Sequence, residues 1–439
     1  MAPIRFLLAL FAGLSSAAVT VTKTHQGPTG YEVTISYQNA SVDSVIISAL
    51  PHLTNQWQTS YFNSAYIDLD DYRPGDFPSN PSPGTYYTMN KTGPGNFTFT
   101  RPFPGGTFQY SFLLNCANAS LCNTTTGQQI TDPTNPPFET VAGSELVSSF
   151  QVPYDSKYQY SDDLSLNQDY ALPYYDVSKH GTLKIEAYAS PGATSPSPGI
   201  HDYVVYLPNG YDANSSTEYP LLHLSHGGGG AAGDWQNQAY VSHILDRLIG
   251  DNWMAPTVVV MPTWYGLVNG TSHIPAPTIA ELYYEYLFPH VQATYRVSNS
   301  SSRRAFAGLS EGGTWTYSLY VNYTSYFSYY GFMSGASNGS TAELGAPFFI
   351  TASDTAANPN LTTRGIYVSY GQYDKLFQTS RYWQQTMDEL NIPYISRFIP
   401  WGFHFWNNWQ DAMWNFGRST LWKPLPLTQY AAHGLARDI

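Results

Sequence analysis

Gly308-Leu309-Ser310-Glu311-Gly312 reads G-x-S-x-G, the pattern that sets a serine on a sharp turn between a strand and a helix. With 35 glycines in 439 residues the pattern is weak by itself, and Gly335-Ala336-Ser337-Asn338-Gly339 fits it too. Context separates the two serines. Ser310 follows the strand-like run Arg304 to Gly308 and precedes Gly313 to Tyr320, which reads as a helix. Ser337 runs into Asn338, Gly339 and Ser340, which is loop chemistry. Ser310 is the candidate nucleophile.

A serine nucleophile needs a base, and the base needs a carboxylate to orient it. On a strand-turn-helix scaffold they follow the serine in the order acid, then histidine. Downstream of Ser310 only His404 and His433 remain. His433 sits near the chain end in Ala431-Ala432-His433-Gly434, whereas His404 lies directly after the last strand pattern. Asp374 closes the strand-plus-turn Tyr367 to Tyr373, and catalytic groups in open α/β sheets gather beyond strand carboxyl ends. Its rival Asp354 lacks a preceding strand and reads as a turn or helix cap. Leu221 to Ser225 runs into His226 and four glycines. Such a run brings backbone N–H groups close to a developing oxyanion, so Gly227, Gly228 and the N–H of Glu311 are the candidate donors. No G-K-[ST] follows, which argues against a phosphate cradle. His226 precedes the nucleophile and reads as structural.

Eight strand patterns surround these residues: 182–187, 203–207, 221–225, 257–261, 304–308, 329–333, 365–370 and 395–399. Helical patterns at 241–249, 280–295, 314–323 and 379–390 alternate with them, which predicts an α/β fold with a mostly parallel sheet covered on both faces. Residues 19–135 instead show period-2 alternation bounded by Gly, Pro and Asn turns, and predict an all-β sandwich. Residues 136–165 read as a connector, 166–425 as the α/β domain and 426–439 as a tail.

The net charge is -12 and only 11% of residues are charged, while 42% are hydrophobic. This profile excludes a disordered chain and argues against a nucleic-acid partner. Arg5, the apolar run Phe6 to Leu14 and the small residues Ser15 to Ala18 have the form of a secretory signal peptide, residues 1–18. No other stretch approaches a membrane span, so a secreted protein, free of the membrane after cleavage, is expected. Eleven Asn-x-Ser/Thr sequons suit a glycoprotein. In that setting Cys116 and Cys122, the only cysteines, read as a disulfide closing a small loop.

Taken together, residues 178–420 resemble the esterase D-like α/β-hydrolases of carbohydrate esterase family 1, which includes feruloyl and acetyl-xylan esterases. The resemblance rests on residues 180–186, on Tyr203 to Tyr211, on Tyr219 to Gly230, on Ala307 to Gly313, on Tyr370 to Asp374 and on Gly402 to Trp409. It implies the triad Ser310, Asp374 and His404, the oxyanion donors named above, and no metal or organic cofactor. Two positions depart from the family: Glu311, where Met or Gln is common, and Phe403, where Gly is usual. The first places a carboxylate beside the nucleophile and disfavours anionic substrates. More loosely, residues 104–112 and 131–136 resemble immunoglobulin-like E-set domains related to glycogen-binding modules. Trp57 and Tyr61 there are candidates to stack on sugar, although a structural or substrate-orienting role for the domain is favoured.

The function expected is thus a serine esterase acting on feruloyl or acetyl decorations of plant cell-wall polysaccharide. Trp264, Tyr265, Trp401 and Trp406 are candidates for a wall that receives a feruloyl ring or a sugar. The alternatives are hydrolysis or transfer of another acyl group, or a non-catalytic carbohydrate-binding glycoprotein with a degenerate hydrolase domain. The oligomeric state is not legible.

Overall fold

The computed structural model describes residues 16–50, 52–55, 57, 66–79, 85–116, 128–138, 147–160, 168–268, 276–335 and 350–427. Its N-terminal part is built from strands β1 (Ser16–Lys23), β2 (Tyr31–Gln38), β3 (Val45–Leu50), β4 (His52–Thr54), β5 (Phe77–Ser79) and β6 (Thr85–Thr88). These are followed by β7 (Asn90–Gly93), β8 (Asn96–Pro102), β9 (Gly106–Leu114), β10 (Gln128–Ile130) and β11 (Ser148–Val152). One sheet has the order β1-β2-β8-β7, and a second the order β10-β9-β3-β6 with β11 also on β9. Strand β2 alternates as the sequence predicts, burying Tyr31, Val33, Ile35 and Tyr37 while Glu32 and Gln38 stay exposed. Those buried side chains meet Phe97, Phe99, Phe108, Tyr110 and Phe112 in a single core.

The boundaries differ in two places. Strand β1 takes up Ser16, Ala17 and Ala18, the end of the expected signal segment, paired with Gln38, Tyr37 and Ser36. Residues 136–165, read as a connector, contribute β11, which pairs along β9. The sequence Ser148 to Val152 hides this strand because two of its buried residues, Ser148 and Ser149, are polar. Only Phe150 and Val152 betray it, joining the sandwich core. Asp132, in the segment carrying the E-set resemblance, is fully buried and accepts hydrogen bonds from the Tyr110 hydroxyl (2.6 Å) and the Thr134 N–H (2.7 Å). It latches the edge of the sheet.

Strand β9 is buried along its whole length. Phe108, Tyr110 and Phe112 face the sandwich core, while Thr107 and Gln109 face the second domain. Gln109 Nε2 donates to the Gln238 carbonyl (3.1 Å), and Gln410 Nε2 donates to Thr107 Oγ1 (3.0 Å). From β11, Gln151 Nε2 donates to the Ala171 carbonyl (2.6 Å), and Ser149 accepts from the Tyr240 hydroxyl (2.7 Å) through its own carbonyl. The seam between the domains is therefore polar, its amide N–H groups donating across it while Gln109 Oε1 and Gln410 Oε1 find no acceptor role there among the described residues.

The second domain holds β12 (Thr182–Ala189), β13 (Ile200–Leu207), β14 (Leu221–Ser225), β15 (Val258–Pro262), β16 (Arg304–Leu309), β17 (Tyr329–Met333), β18 (Gly365–Gly371) and β19 (Ile395–Ile399). All eight match the sequence patterns to within a few residues. Their order is β12-β13-β15-β14-β16-β17-β18-β19, and β14 to β19 run parallel. The helices are α1 (Asp234–Asn237), α2 (Val241–Gly250), α3 (Ala276–Leu282), α4 (Phe288–Thr294), α5 (Glu311–Asn322), α6 (Ala352–Ala357), α7 (Phe377–Glu389) and α8 (Trp406–Ser419). Consecutive strand residues serve opposite faces: Val258 and Val260 pack with Ile279 and Phe288, Val259 with Ile244 and Phe416. Burial on both faces is why these strands read as unbroken apolar runs.

Candidate active site

Strand β16 ends at Leu309 and α5 begins at Glu311, so Ser310 alone makes the turn, with φ 51° and ψ -118°. A positive φ at a non-glycine residue is strained by about 1–3 kcal/mol and persists only where its surroundings enforce it. Here the enforcement is backbone on backbone. A Cβ on Gly308 would strike the Gly312 carbonyl, one on Gly312 the His226 carbonyl, and one on Gly335 the Ser310 carbonyl. Ser310 N–H donates to the Met333 carbonyl (2.9 Å), tying the elbow to the end of β17. Gly335, half of the competing G-x-S-x-G match, is thus a spacer against the elbow, while Ser337 lies outside the described residues.

Asp374 follows β18 and His404 follows β19, so all three groups stand beyond the carboxyl ends of parallel strands. Ser310 Oγ lies 2.7 Å from His404 Nε2, and His404 Nδ1 lies 2.9 Å from Asp374 Oδ1. The carboxylate only accepts, so Nδ1 carries the proton and Nε2 is left to accept from the serine hydroxyl. Asp374 Oδ1 also accepts the Leu376 N–H (2.7 Å), which fixes the carboxylate. His404 and Asp374 are buried, and the Trp409 ring stands edge-on to the imidazole at 5.1 Å. The sequence reading singled out no role for Asn408, whose side chain donates to the Phe403 carbonyl and holds the base loop from α8. Its position four residues after His404 was the available signal.

The glycine run lies against the elbow. A Cβ on Gly227 would come within 3.1 Å of Ser310 Cβ, and one on Gly228 within 2.6 Å of Glu311 Oε2. His226 organises this loop. Its Nδ1–H donates to the Gly227 carbonyl (2.7 Å), and Nε2 accepts from the Thr263 hydroxyl (3.0 Å). The N–H of Gly228 points the opposite way across that peptide plane. Burial pushes the His226 imidazole down to about 3, so it is neutral and structural, as its position before the nucleophile suggests. Tyr265 adds a second tether, its hydroxyl accepting the Gly229 N–H at 2.7 Å. Glu311 is the first residue of α5, so its N–H stands at the helix's positive end, which faces the elbow.

Of the four aromatic wall candidates, two belong to the core. Trp264 is 2% exposed, stacked on His226 at 3.9 Å and edge-on to Trp315, so the ring is committed to packing. Trp406 starts α8, buried between Trp235 and Trp409. Tyr265 and Trp401 remain half-buried. Asp354 closes a capping box with Thr351 at the start of α6. Trp57 is exposed, while Tyr61, Cys122 and His433 lie outside the described residues; Cys116 is buried. Among the described residues no cluster of His, Cys, Asp and Glu has a metal-binding arrangement, and no helix is long and apolar enough to cross a membrane.

A parallel sheet with a serine on a strained strand-to-helix turn and a Ser-His-Asp arrangement at its carboxyl edge has the architecture of the α/β-hydrolase class. Residues 201–416 match the family model Esterase, described as "Putative esterase". An endo-1,4-β-xylanase/feruloyl esterase of Xylanibacter ruminicola is 32% identical over 141 residues, 30% of this chain and 19% of that protein. Endo-1,4-β-xylanase Y of Acetivibrio thermocellus is 30% identical over 135 residues, 28% of this chain and 12% of that protein. The chain thus spans less than a fifth of either relative. A ferulic acid esterase from Anaeromyces mucronatus, solved with ferulic acid, superposes with a TM-score of 0.50 at 18% identity, covering 58% of this chain and 95% of its own. The α/β domain shares the fold of that structure, and the match to the Esterase model spans just under half of the chain.

Proposed function

We propose that this chain is a secreted serine esterase that removes feruloyl or acetyl groups from plant cell-wall polysaccharide, with Ser310, His404 and Asp374 as its triad. The observation that carries the reading is the continuous relay from Ser310 Oγ through His404 to Asp374, at 2.7 and 2.9 Å, starting from a strained elbow. In this reading Ser310 Oγ attacks the ester carbonyl as His404 Nε2 takes its proton. The N–H groups of Glu311 and the Gly227-Gly228 segment stabilise the oxyanion. His404 returns the proton to the leaving sugar hydroxyl, and water then attacks the acyl-serine with His404 again as base. Asp374 holds the Nδ1–H tautomer and stabilises the imidazolium.

The substrate class is supported by the two relatives, whose names join xylanase with feruloyl esterase or give xylanase alone. Secretion is supported by the leader-like residues 1–18 and the sequons. The test is release of ferulate and acetate from feruloylated, acetylated arabinoxylan by wild type and Ser310→Ala in parallel. Acid release with wild type, lowered about 10⁴- to 10⁶-fold in the variant, is expected. Release that survives the substitution removes Ser310 from the mechanism, and a folded wild type releasing neither acid removes the cell-wall assignment.

A further inference from the structure

The loops that carry the acid and the base are braced by a ring from the other domain. Phe77 begins β5, which pairs with β4 in a separate two-stranded sheet of the N-terminal domain, and is fully buried. Its ring stacks at 6.3 Å on Tyr373, the residue before Asp374. It also lies 6.4 Å from the ring of Trp401 and 5.8 Å from that of Phe403, the residue before His404. Tyr373 and Phe403 in turn stack at 5.5 Å. Beneath the rings the two loops are joined by backbone: Tyr373 N–H donates to the Gly402 carbonyl (2.8 Å), and Gln372 N–H to the Ile399 carbonyl (3.0 Å). One side chain from the N-terminal domain therefore touches residues adjacent to both members of the Asp374–His404 pair. Phe403, one of the two departures from the family pattern, is the ring that completes the contact.

We infer that the sandwich domain is part of the positioning machinery of the active site, acting through Phe77, which holds the acid and base loops in register. Phe77 is a positioning residue and touches neither the triad nor the substrate. The inference rests on the esterase reading above and would fall with it. It also accounts for why a sandwich is fastened to this hydrolase so tightly: a mobile module could not set the Nδ1 to Oδ1 distance.

The experiment compares Phe77→Ala and Phe77→Leu with Phe99→Ala in the full chain. Phe99 is an equally buried ring of the same domain, packed on Tyr87, and its loss reports domain stability alone. Turnover of p-nitrophenyl acetate is measured across pH, well below each melting temperature, beside labelling of the serine by a fluorophosphonate. A displacement on the order of 1 Å in a catalytic pair costs about 100-fold. The expected result is a fall in kcat of about 10- to 100-fold for Phe77→Ala with KM nearly unchanged, Phe77→Leu falling between. A kcat within about twofold of that of Phe99→Ala, or a loss that falls on KM instead of kcat, overturns the inference. If Phe77→Ala does not fold, Phe77→Leu decides by the same two readouts. A wild type that neither turns over nor labels instead overturns the esterase reading.

Discussion

The two halves of the triad are held by different balances of backbone and ring packing. The nucleophile side is packed backbone to backbone: Gly308, Gly312, Gly313 and Gly335 leave no room for a Cβ, and the chain that encloses Ser310 comes largely from its own neighbourhood. The acid and base side has one close backbone contact, where a Cβ on Gly371 would strike the Gly402 carbonyl, and is otherwise packed ring to ring, by Tyr373, Trp401 and Phe403 with Phe77 from another domain. Backbone packing is intolerant of any added atom but needs only glycine. Ring packing tolerates small changes of shape but needs partners far away in sequence. The difference predicts where the site is brittle and where it degrades gradually.

Gly312→Ala tests the brittle side and should have the largest effect. Within a helix, alanine in place of glycine is favourable by up to about 1 kcal/mol. Here the methyl meets the His226 carbonyl, so a net loss of about 1–3 kcal/mol and a fall in kcat of about 100-fold are expected by thermal melting and steady-state kinetics. A variant that melts higher and turns over normally would dissolve the contrast. Phe403→Gly, which restores the family's usual residue, tests the gradual side. It should lower kcat by about 10-fold, less than the elbow substitution, with the protein still folded. Combined with Phe77→Ala it should be non-additive by about 1 kcal/mol, because both remove one shared contact; simple addition would show that the rings act separately.

The last effect concerns stability beneath the elbow and leaves turnover aside. His223 lies in β14 among Phe288, Phe306 and Phe327. Burial, reinforced by the Arg304 charge, pushes its imidazole down to about 3. The unfolded chain takes up that proton near pH 6.5 while the folded one does not. The stability is thus complete above about pH 6.5 and is lost as pH falls toward 3. At pH 5 the loss from one such histidine is about 2 kcal/mol. Denaturant unfolding of His223→Leu should therefore show a difference between pH 7.5 and pH 5 that is smaller than wild type's by about that amount. An unchanged difference would mean that this ring titrates normally.

What could be read from the sequence follows the same division. The strands of the parallel sheet were legible because burial on both faces writes apolar runs, and the grouping of Ser310, Asp374 and His404 was legible because chain order filters a weak serine motif. Helix α8 was not among the helices read, since Asn407, Asn408, Gln410 and Asp411 look like a solvated face. In the structure all four are buried. Gln410 reaches β9, and Asp411 pairs with the Arg397 guanidinium at 3.0 Å. Strand β11 was hidden for a related reason, because its polar residues serve the seam between domains. Trp264 and Trp406 were misplaced because an aromatic beyond a strand end has the same spelling whether it faces a pocket or fills the core. Phe77 left no signal at all, since its meaning depends on loops that only the docked fold brings to it.

The position of Phe77 in the chain also gives the molecule an order of manufacture. The ring emerges about 300 residues before the loops it braces. At about 5–20 residues per second, ribosomal synthesis puts roughly 15–60 s between the two. That interval is long enough for a small β-sandwich to fold, so the acid and base loops are born facing a finished surface. The first domain then works as a mould for the last third of the polypeptide, and a chain synthesised without it would have to find the same loop geometry unaided.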